Sequence, residues 1–333
     1  MSKKIMSLLE ASQLIAAGER LLIAGDAALL AQLPRGSWIG GSIPYFMGDS
    51  GGLTDREVLY VDVLPPEVED VCIRTYAPDT LRTLPTDGFD GGFSVIILPA
   101  MSPIHLAFAQ DGPDVPGIYD RPLVGWVAGV HLADLGQAAP VVAIGPEGRL
   151  STTEAVVLHA RLPANKAAAL DIVNLFVQGE GDALTFGATG FSHGEVLVNG
   201  EPRNFARYLK DIGHDVRMPL VADYFGAMIN VSFQSVADDD ARVDLYAPVF
   251  EGVTYKLAAP VEDYVGEFER RVPHGSLQPV FACNCILNFL YSNLEGQRTG
   301  DLRGPITFGE IAYQLLNQTL VYLQLQDLDG PSA

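Results

Sequence analysis

The sequence predicts an α+β fold: two lobes with mixed or antiparallel β-sheets flanked by short helices. Three observations carry this expectation. Short β-type runs recur along the chain, at residues 21–24, 38–43, 58–64, 93–98, 123–131, 140–144 and 155–162. Few long helical periods separate them, and Pro/Gly-rich stretches such as 111–119 do much of the connecting, unlike a regular doubly wound sheet. The 333 residues are 48% hydrophobic and 19% charged, enough apolar material for a sizeable core and too much for a disordered chain. At about 150 residues per domain the length suggests two lobes, with the boundary near 162–166: residues 1–163 and 164–333.

Each element has a local reason. Ser7-Leu8-Leu9-Glu10 reads as a capping box, in which the Ser7 hydroxyl accepts from the Glu10 amide and the Glu10 carboxylate reaches back. Leu8, Leu9, Ile15 and Ala16 supply the apolar stripe, and Gly18 ends the helix. The run Ser94-Val95-Ile96-Ile97-Leu98 is continuously apolar, as a strand buried on both faces would be. In the second half, residues 165–177 read as helical, 179–182 as a loop, and 183–188 and 195–198 as strands. Asn199-Gly200 forms a tight turn. Residues 202–210 read as a short helix with an early proline. Residues 229–235 and 242–249 alternate around 237–241, as in a hairpin with a solvated acidic tip. Residues 261–272 and 285–294 read as helices, and 311–325 is a long apolar stretch carrying Asn317, Gln318 and Thr319.

Charge and cysteine content exclude several classes. With 41 acidic against 21 basic side chains the net charge is −20, the wrong sign for nucleic acid or an anionic membrane surface. No window reaches about 18 uncharged apolar residues, so no membrane span is expected. Glu10 and Gln13 interrupt any secretory signal after the basic Lys3-Lys4. Three cysteines (Cys72, Cys283, Cys285) do not make a disulfide framework, which fits a reducing cytoplasm.

Most motif-like strings fail on their chemistry. Gly48-Asp49-Ser50-Gly51-Gly52 matches the nucleophile string of chymotrypsin-like proteases, but the first histidine, His105, lies downstream of Ser50, the wrong order. Gly40-Gly41-Ser42-Ile43-Pro44 lacks the last glycine of a nucleophile elbow; it is a strand end beside a ligand or a close-packing site. Gly179-Glu180-Gly181 lacks the third glycine of a dinucleotide loop. The six histidines never fall at i, i+3 or i, i+4, and Cys283-x-Cys285 has no second pair, so neither metal nor cofactor is expected. Asp238-Asp239-Asp240 reads as the hairpin tip. The segment 279–285 runs an apolar strand into a helix, which would place Cys283 near a helix N-terminus. There it is an inert core residue, a pocket-lining residue or a reactive thiol. Glu310, after a glycine and before an apolar run, needs a cation or hydrogen bonds; a ligand ammonium, Arg298 or Arg303 would serve. Asn317, Gln318 and Thr319 likewise need partners, in a ligand site or in a buried network joining the lobes.

Ala282-Cys283-Asn284, Gly304-Pro305-Ile306-Thr307-Phe308-Gly309-Glu310-Ile311 and Leu316-Asn317-Gln318-Thr319-Leu320 resemble the C-terminal half of FIST domains. There a strand ending in cysteine is followed by a Gly-Glu-Ile element and a closing Asn-Gln-Thr. Gly194–Pro202 is similar to the family's Asp-Gly-x-Pro-Ala turn, and Trp38-Ile39-Gly40-Gly41-Ser42 resembles its Ile-Gly-Cys-Ser/Thr strand end. Here that strand end continues as Ile43-Pro44-Tyr45-Phe46, where the family usually has Ala-Gly-Glu.

The resemblance implies an intracellular sensory module that binds a small polar metabolite, an amino acid for example, between its lobes. It points to Gly41, Ser42, Cys283, Asn284, Gly309, Glu310, Asn317 and Thr319 as ligand contacts. No output domain follows residue 333, so the signal is expected to pass by contact with a separate protein. Two alternatives stand beside it. One is a Cys-dependent hydrolase or transferase with Cys283 as nucleophile and His274 as base; the other is a ligand-free scaffold, with the apolar C-terminal stretch as a homodimer interface.

Overall fold

A computed structural model describes residues 4–224, 226–237, 239, 241–272 and 279–328. The fold is α+β: among the described residues it has four six-stranded sheets, one three-stranded sheet and short helices. The first helix, Leu8–Ala16, begins at the capping box, with Glu10 N donating to Ser7 Oγ (3.3 Å) and Ser7 N to Glu10 Oε2 (2.7 Å). Gly18 follows it at φ +84°, a left-handed residue that glycine adopts without strain.

One sheet runs in the order Ile5–Met6, Leu59–Val63, Leu21–Gly25, Trp38–Ser42, Val142–Ile144, Arg149–Ser151. A second runs Gln314–Leu316, Glu310–Ala312, Leu123–Ala128, Gly92–Pro99, Ala155–Arg161, Asp70–Tyr76. The third runs Lys166–Asn174, Thr319–Asp327, Phe281–Cys285, Gly304–Thr307, Tyr45–Gly48, Gly51–Thr54. Strands from both sides of residue 163 therefore share the second and third sheets. Among the described residues the parallel pairs are Leu21–Gly25 with Trp38–Ser42, Gly92–Pro99 with Leu123–Ala128, and Phe281–Cys285 with Gly304–Thr307. Each is connected through a helix, as a parallel pair requires.

The main core lies where these sheets face one another. Trp126 stacks on Phe281 (centroids 5.4 Å apart, planes at 15°), with Phe46, Ile97 and Val321 fully buried around them. A smaller sheet (Glu201–Asn204, Glu195–Val198, Leu184–Thr185, Tyr255–Leu257, Leu220–Tyr224, Ala227–Val231) and the three-stranded one enclose a second core around Phe186, Phe205 and Phe233.

Three expectations are corrected. Residues 165–177 are not helical: Lys166–Asn174 is a strand paired along all nine residues with Thr319–Asp327. The Ala-Ala-Ala run favours helix by only tenths of a kcal/mol per residue, less than a nine-residue ladder provides. Residues 202–210 are not one helix. Glu201–Asn204 is an edge strand, where the missing N–H of Pro202 is tolerated, and the helix Phe205–Asp211 starts after Asn204, which accepts from Arg207 N (2.8 Å). Cys283 lies mid-strand in Phe281–Cys285, and Cys285 occupies the position before the helix Ile286–Tyr291. The expected hairpin forms with a shorter first arm: Phe233–Val236 pairs with Val243–Val249, whereas residues 229–231 belong to Ala227–Val231, which pairs with Leu220–Tyr224 in another sheet. Of the hairpin tip, Asp238 and Asp240 lie outside the described residues, as does His274.

Candidate functional site: a polar cavity over a buried network

Strand pairing brings six of the eight predicted site residues together. Phe281–Cys285 lies between Thr319–Asp327 (Cys283 opposite Val321, Asn284 opposite Leu320) and Gly304–Thr307 (Cys285 opposite Thr307). Alternation along the strand sends Cys283 and Cys285 to one face and Asn284 to the other. Glu310 opens the strand Glu310–Ala312, opposite Trp126 and Leu316.

Glu310 is wholly buried. Its Oε2 accepts from Thr319 N (3.2 Å) and Thr319 Oγ1 (2.9 Å), and Thr307 Oγ1 reaches its Oε1 at 3.5 Å. Neither expected arginine is committed to it: Arg298 pairs with Asp301 (3.1 Å) and Arg303 with Asp49. Desolvation pushes the Glu310 carboxyl up to about 8, against the lowering effect of the Thr319 bonds, so it is mostly protonated at pH 7. The adjacent thiols are buried. Burial, then the proximity of Glu310, holds both Cys283 and Cys285 well above the usual thiol range, the reverse of an activated thiolate. Cys283 Sγ donates to the Gly125 carbonyl (3.5 Å).

On the other face, Asn284 Oδ1 accepts from Cys285 N (2.8 Å) and from Asn288 Nδ2 (2.8 Å), and that amide also reaches the Thr319 carbonyl (3.3 Å). Asn284 Nδ2 and Asn288 Oδ1 remain buried with no hydrogen-bond partner. The turn before Thr319, with Gln318 at φ +52°, is tied to a neighbouring hairpin. Ser232 N donates to Asn317 Oδ1 (3.4 Å), Ser232 Oγ to Gln318 Oε1 (2.6 Å), and Gln318 Nε2 to the Arg217 carbonyl (3.0 Å).

Asn288 and Gln318 also form the inner wall of a cavity of about 530 Å³, within the range of small-molecule sites. Phe176, Tyr264 and Tyr291 give it aromatic walls. The Tyr264 hydroxyl is a further buried polar atom with no partner. Burial first, then the charges of Cys285 and Glu310, hold the Tyr264 phenol well above the ordinary range.

None of the eight predicted residues lines this cavity. Cys283, Asn284, Gly309, Glu310, Asn317 and Thr319 form the support behind it. Gly41 and Ser42 belong elsewhere. A Cβ on Gly41 would lie 2.6 Å from Ile97 Cγ2 and 2.7 Å from Trp126 Nε1, so close packing explains that glycine. Ser42 Oγ donates to the Gly129 carbonyl (2.7 Å) and accepts from Val141 N (2.9 Å). The Gly309 carbonyl accepts from Val127 N (2.8 Å). Asn288 is the important residue missing from the sequence-based set. Its signal was present: an amide inside the apolar run Ile286-Leu287-Asn288-Phe289-Leu290, four positions after Asn284.

A second buried polar cluster spans Gly92–Pro99, Ala155–Arg161 and Asp70–Tyr76. Ser94 Oγ lies 2.8 Å from His159 Nδ1, His159 Nε2 2.9 Å from Tyr76 OH, and Tyr76 OH donates to Asp87 Oδ2 (3.1 Å). Because the Tyr76 proton goes to Asp87, Tyr76 accepts from Nε2–H, and Ser94 donates to Nδ1. Desolvation lowers His159 to about 4, keeping it neutral. Among the described residues no group of three or more His, Cys, Asp or Glu side chains could hold a metal ion, and no helix is long and apolar enough to cross a membrane.

The structure thus defines an α+β protein with a polar-floored cavity set on a buried side-chain network. The chain belongs to the family of unknown function DUF6976, whose model matches residues 6–326. No curated protein and no solved structure matches it.

Proposed function

We propose that this protein binds a small polar molecule in the cavity walled by Asn288, Gln318, Tyr264 and Tyr291. In this reading it acts as a cytoplasmic sensor of FIST type that signals by contact with a separate protein. The observation that carries the reading is Asn288: a fully buried side chain on the cavity wall whose Oδ1 has no donor. A buried acceptor left unpaired costs about 1–3 kcal/mol, a cost that a ligand donor would remove. The Glu310–Thr319–Asn284 network then positions Asn288 and Gln318. The FIST-like motifs make up much of that network and support the same reading. A nucleophilic role for Cys283 draws no comparable support, because its thiol is buried and its proton tightly held.

A thermal-shift screen of the purified chain against amino acids, amines and small carboxylates tests this. A ligand at about 100 times its Kd should stabilise by about 2.7 kcal/mol, a readily measured rise in Tm. Ser292→Trp, at the cavity margin, should abolish the shift while leaving the protein folded. A flat screen with folded protein, or shifts unchanged in Ser292→Trp, would remove the cavity from consideration.

A further inference from the structure

The cavity carries a charge pattern that narrows its ligand. Its margin holds three carboxylates, Asp215, Glu262 and Asp263, against one guanidinium, Arg217. Arg217 is already neutralised: its Nε lies 3.0 Å from both oxygens of Asp215 and its Nη2 2.6 Å from Oδ2. Asp263 caps the helix Tyr264–Arg271, accepting from Gly266 N (3.0 Å). Glu262 is exposed and has no ion pair among the described residues. A carboxylate ligand would meet surplus negative charge and no uncommitted cation. Among the lining residues, Asn288 has an Oδ1 with no donor, since its own Nδ2 is fixed on Asn284 and Thr319. The lining also includes the aromatic rings Phe176 and Tyr264, tilted against each other with centroids 6.3 Å apart. Such faces attract cations.

We infer that the cavity takes an organic ammonium bearing at least one N–H, which donates to Asn288 Oδ1 while the margin carboxylates balance its charge. This rests on the cavity being a binding site. It separates two cations of similar shape: a primary amine satisfies Asn288, whereas a quaternary ammonium keeps the charge and the aromatic contact but has no proton to give.

The test is calorimetric titration of the full chain with 2-phenylethylamine, its N,N,N-trimethyl derivative and 3-phenylpropanoate, which share one hydrocarbon body. The primary amine should bind, the trimethyl derivative at least about tenfold more weakly for want of a buried charged hydrogen bond, and the carboxylate not at all. Glu262→Gln, on an exposed side chain that leaves folding intact, should weaken amine binding by about two- to fivefold and flatten its salt dependence. Equal binding of the quaternary ion would overturn the Asn288 contact. Binding of the carboxylate in preference to the amine would overturn the cation assignment while leaving the cavity a binding site. If none of the three probes binds and the wider screen is also flat, the cavity reading fails along with this one.

Discussion

The two buried polar clusters are built from similar parts and end differently. In the Ser94–His159–Tyr76–Asp87 chain every hydrogen finds an acceptor, and the last acceptor, Asp87, also takes a bond from Thr83 Oγ1 (2.9 Å). In the Glu310–Thr319–Asn284–Asn288 network two amide atoms are left without partners, one of them on a cavity wall. A completed circuit holds strands in register and needs nothing more. An incomplete one either costs stability or awaits a partner; both networks border a cavity, of about 350 Å³ at Tyr76 and Asp87 and of about 530 Å³ at Asn288, but only the second brings an unpaired amide to the lining.

The clusters also pull stability in opposite directions with pH, and that gives the largest predicted effect. Glu310 has a raised folded value of about 8, so the native state retains a proton that the unfolded chain has already released. Its contribution is fully present below the ordinary glutamate pKa and is lost as pH rises from about 4.5 to 8, on the order of 5 kcal/mol at about 1.4 kcal/mol per unit. Glu310→Gln, which imitates the protonated acid, should abolish that decline in denaturant melts; an unchanged slope would break the assignment. His159 works the other way. Its folded value of about 4 lies below the ordinary histidine pKa, so stability rises with pH between about 4 and 6.5. His105, buried and also near 4, adds to the same acid-side loss.

Next in size, His159→Ala should cost about 3 kcal/mol, because it opens a cavity and leaves Ser94 and Tyr76 without partners, yet it should not alter ligand binding. Asn288→Ala should show the mirror-image pattern: about 1 kcal/mol of stability, with ligand-induced thermal shifts gone. If both variants changed only stability, the contrast between closed and open networks would collapse. The smallest effect is chemical. At neutral pH an alkylating reagent should modify the half-exposed Cys72 well before Cys283 or Cys285, which should label only at the rate of unfolding. Prompt labelling of Cys283 on folded protein would restore the nucleophile reading.

Much of the fold could be read where local chemistry and tertiary context agree. Ser7 and Glu10 cap a helix in any surroundings, and Ser94–Leu98 is too uniformly apolar to be anything but buried. Lys166–Asn174 is not legible as a strand because its alanines favour helix locally, whereas its pairing partner lies some 150 residues away along the chain. The site divided in the same way. Glu310, Asn317 and Thr319 stand out as polar residues in apolar surroundings, and they do converge. Which of the buried polar residues faces a cavity depends on the loops bearing Arg217, Tyr264 and Tyr291, and no spacing in the sequence brings those together.

The central position of Thr319–Asp327, hydrogen-bonded to Lys166–Asn174 on one side and Phe281–Cys285 on the other, bears on how the molecule is made. During synthesis the strand Leu123–Ala128 emerges long before its neighbour Glu310–Ala312, and Lys166–Asn174 long before Thr319–Asp327. Two apolar sheet edges must therefore wait, unpaired, while more than a hundred further residues leave the ribosome. A ribosome stalled shortly before residue 310 would hold a nascent chain with most of its core residues already made but two sheets unfinished, a form suited to chaperone capture and prone to aggregation.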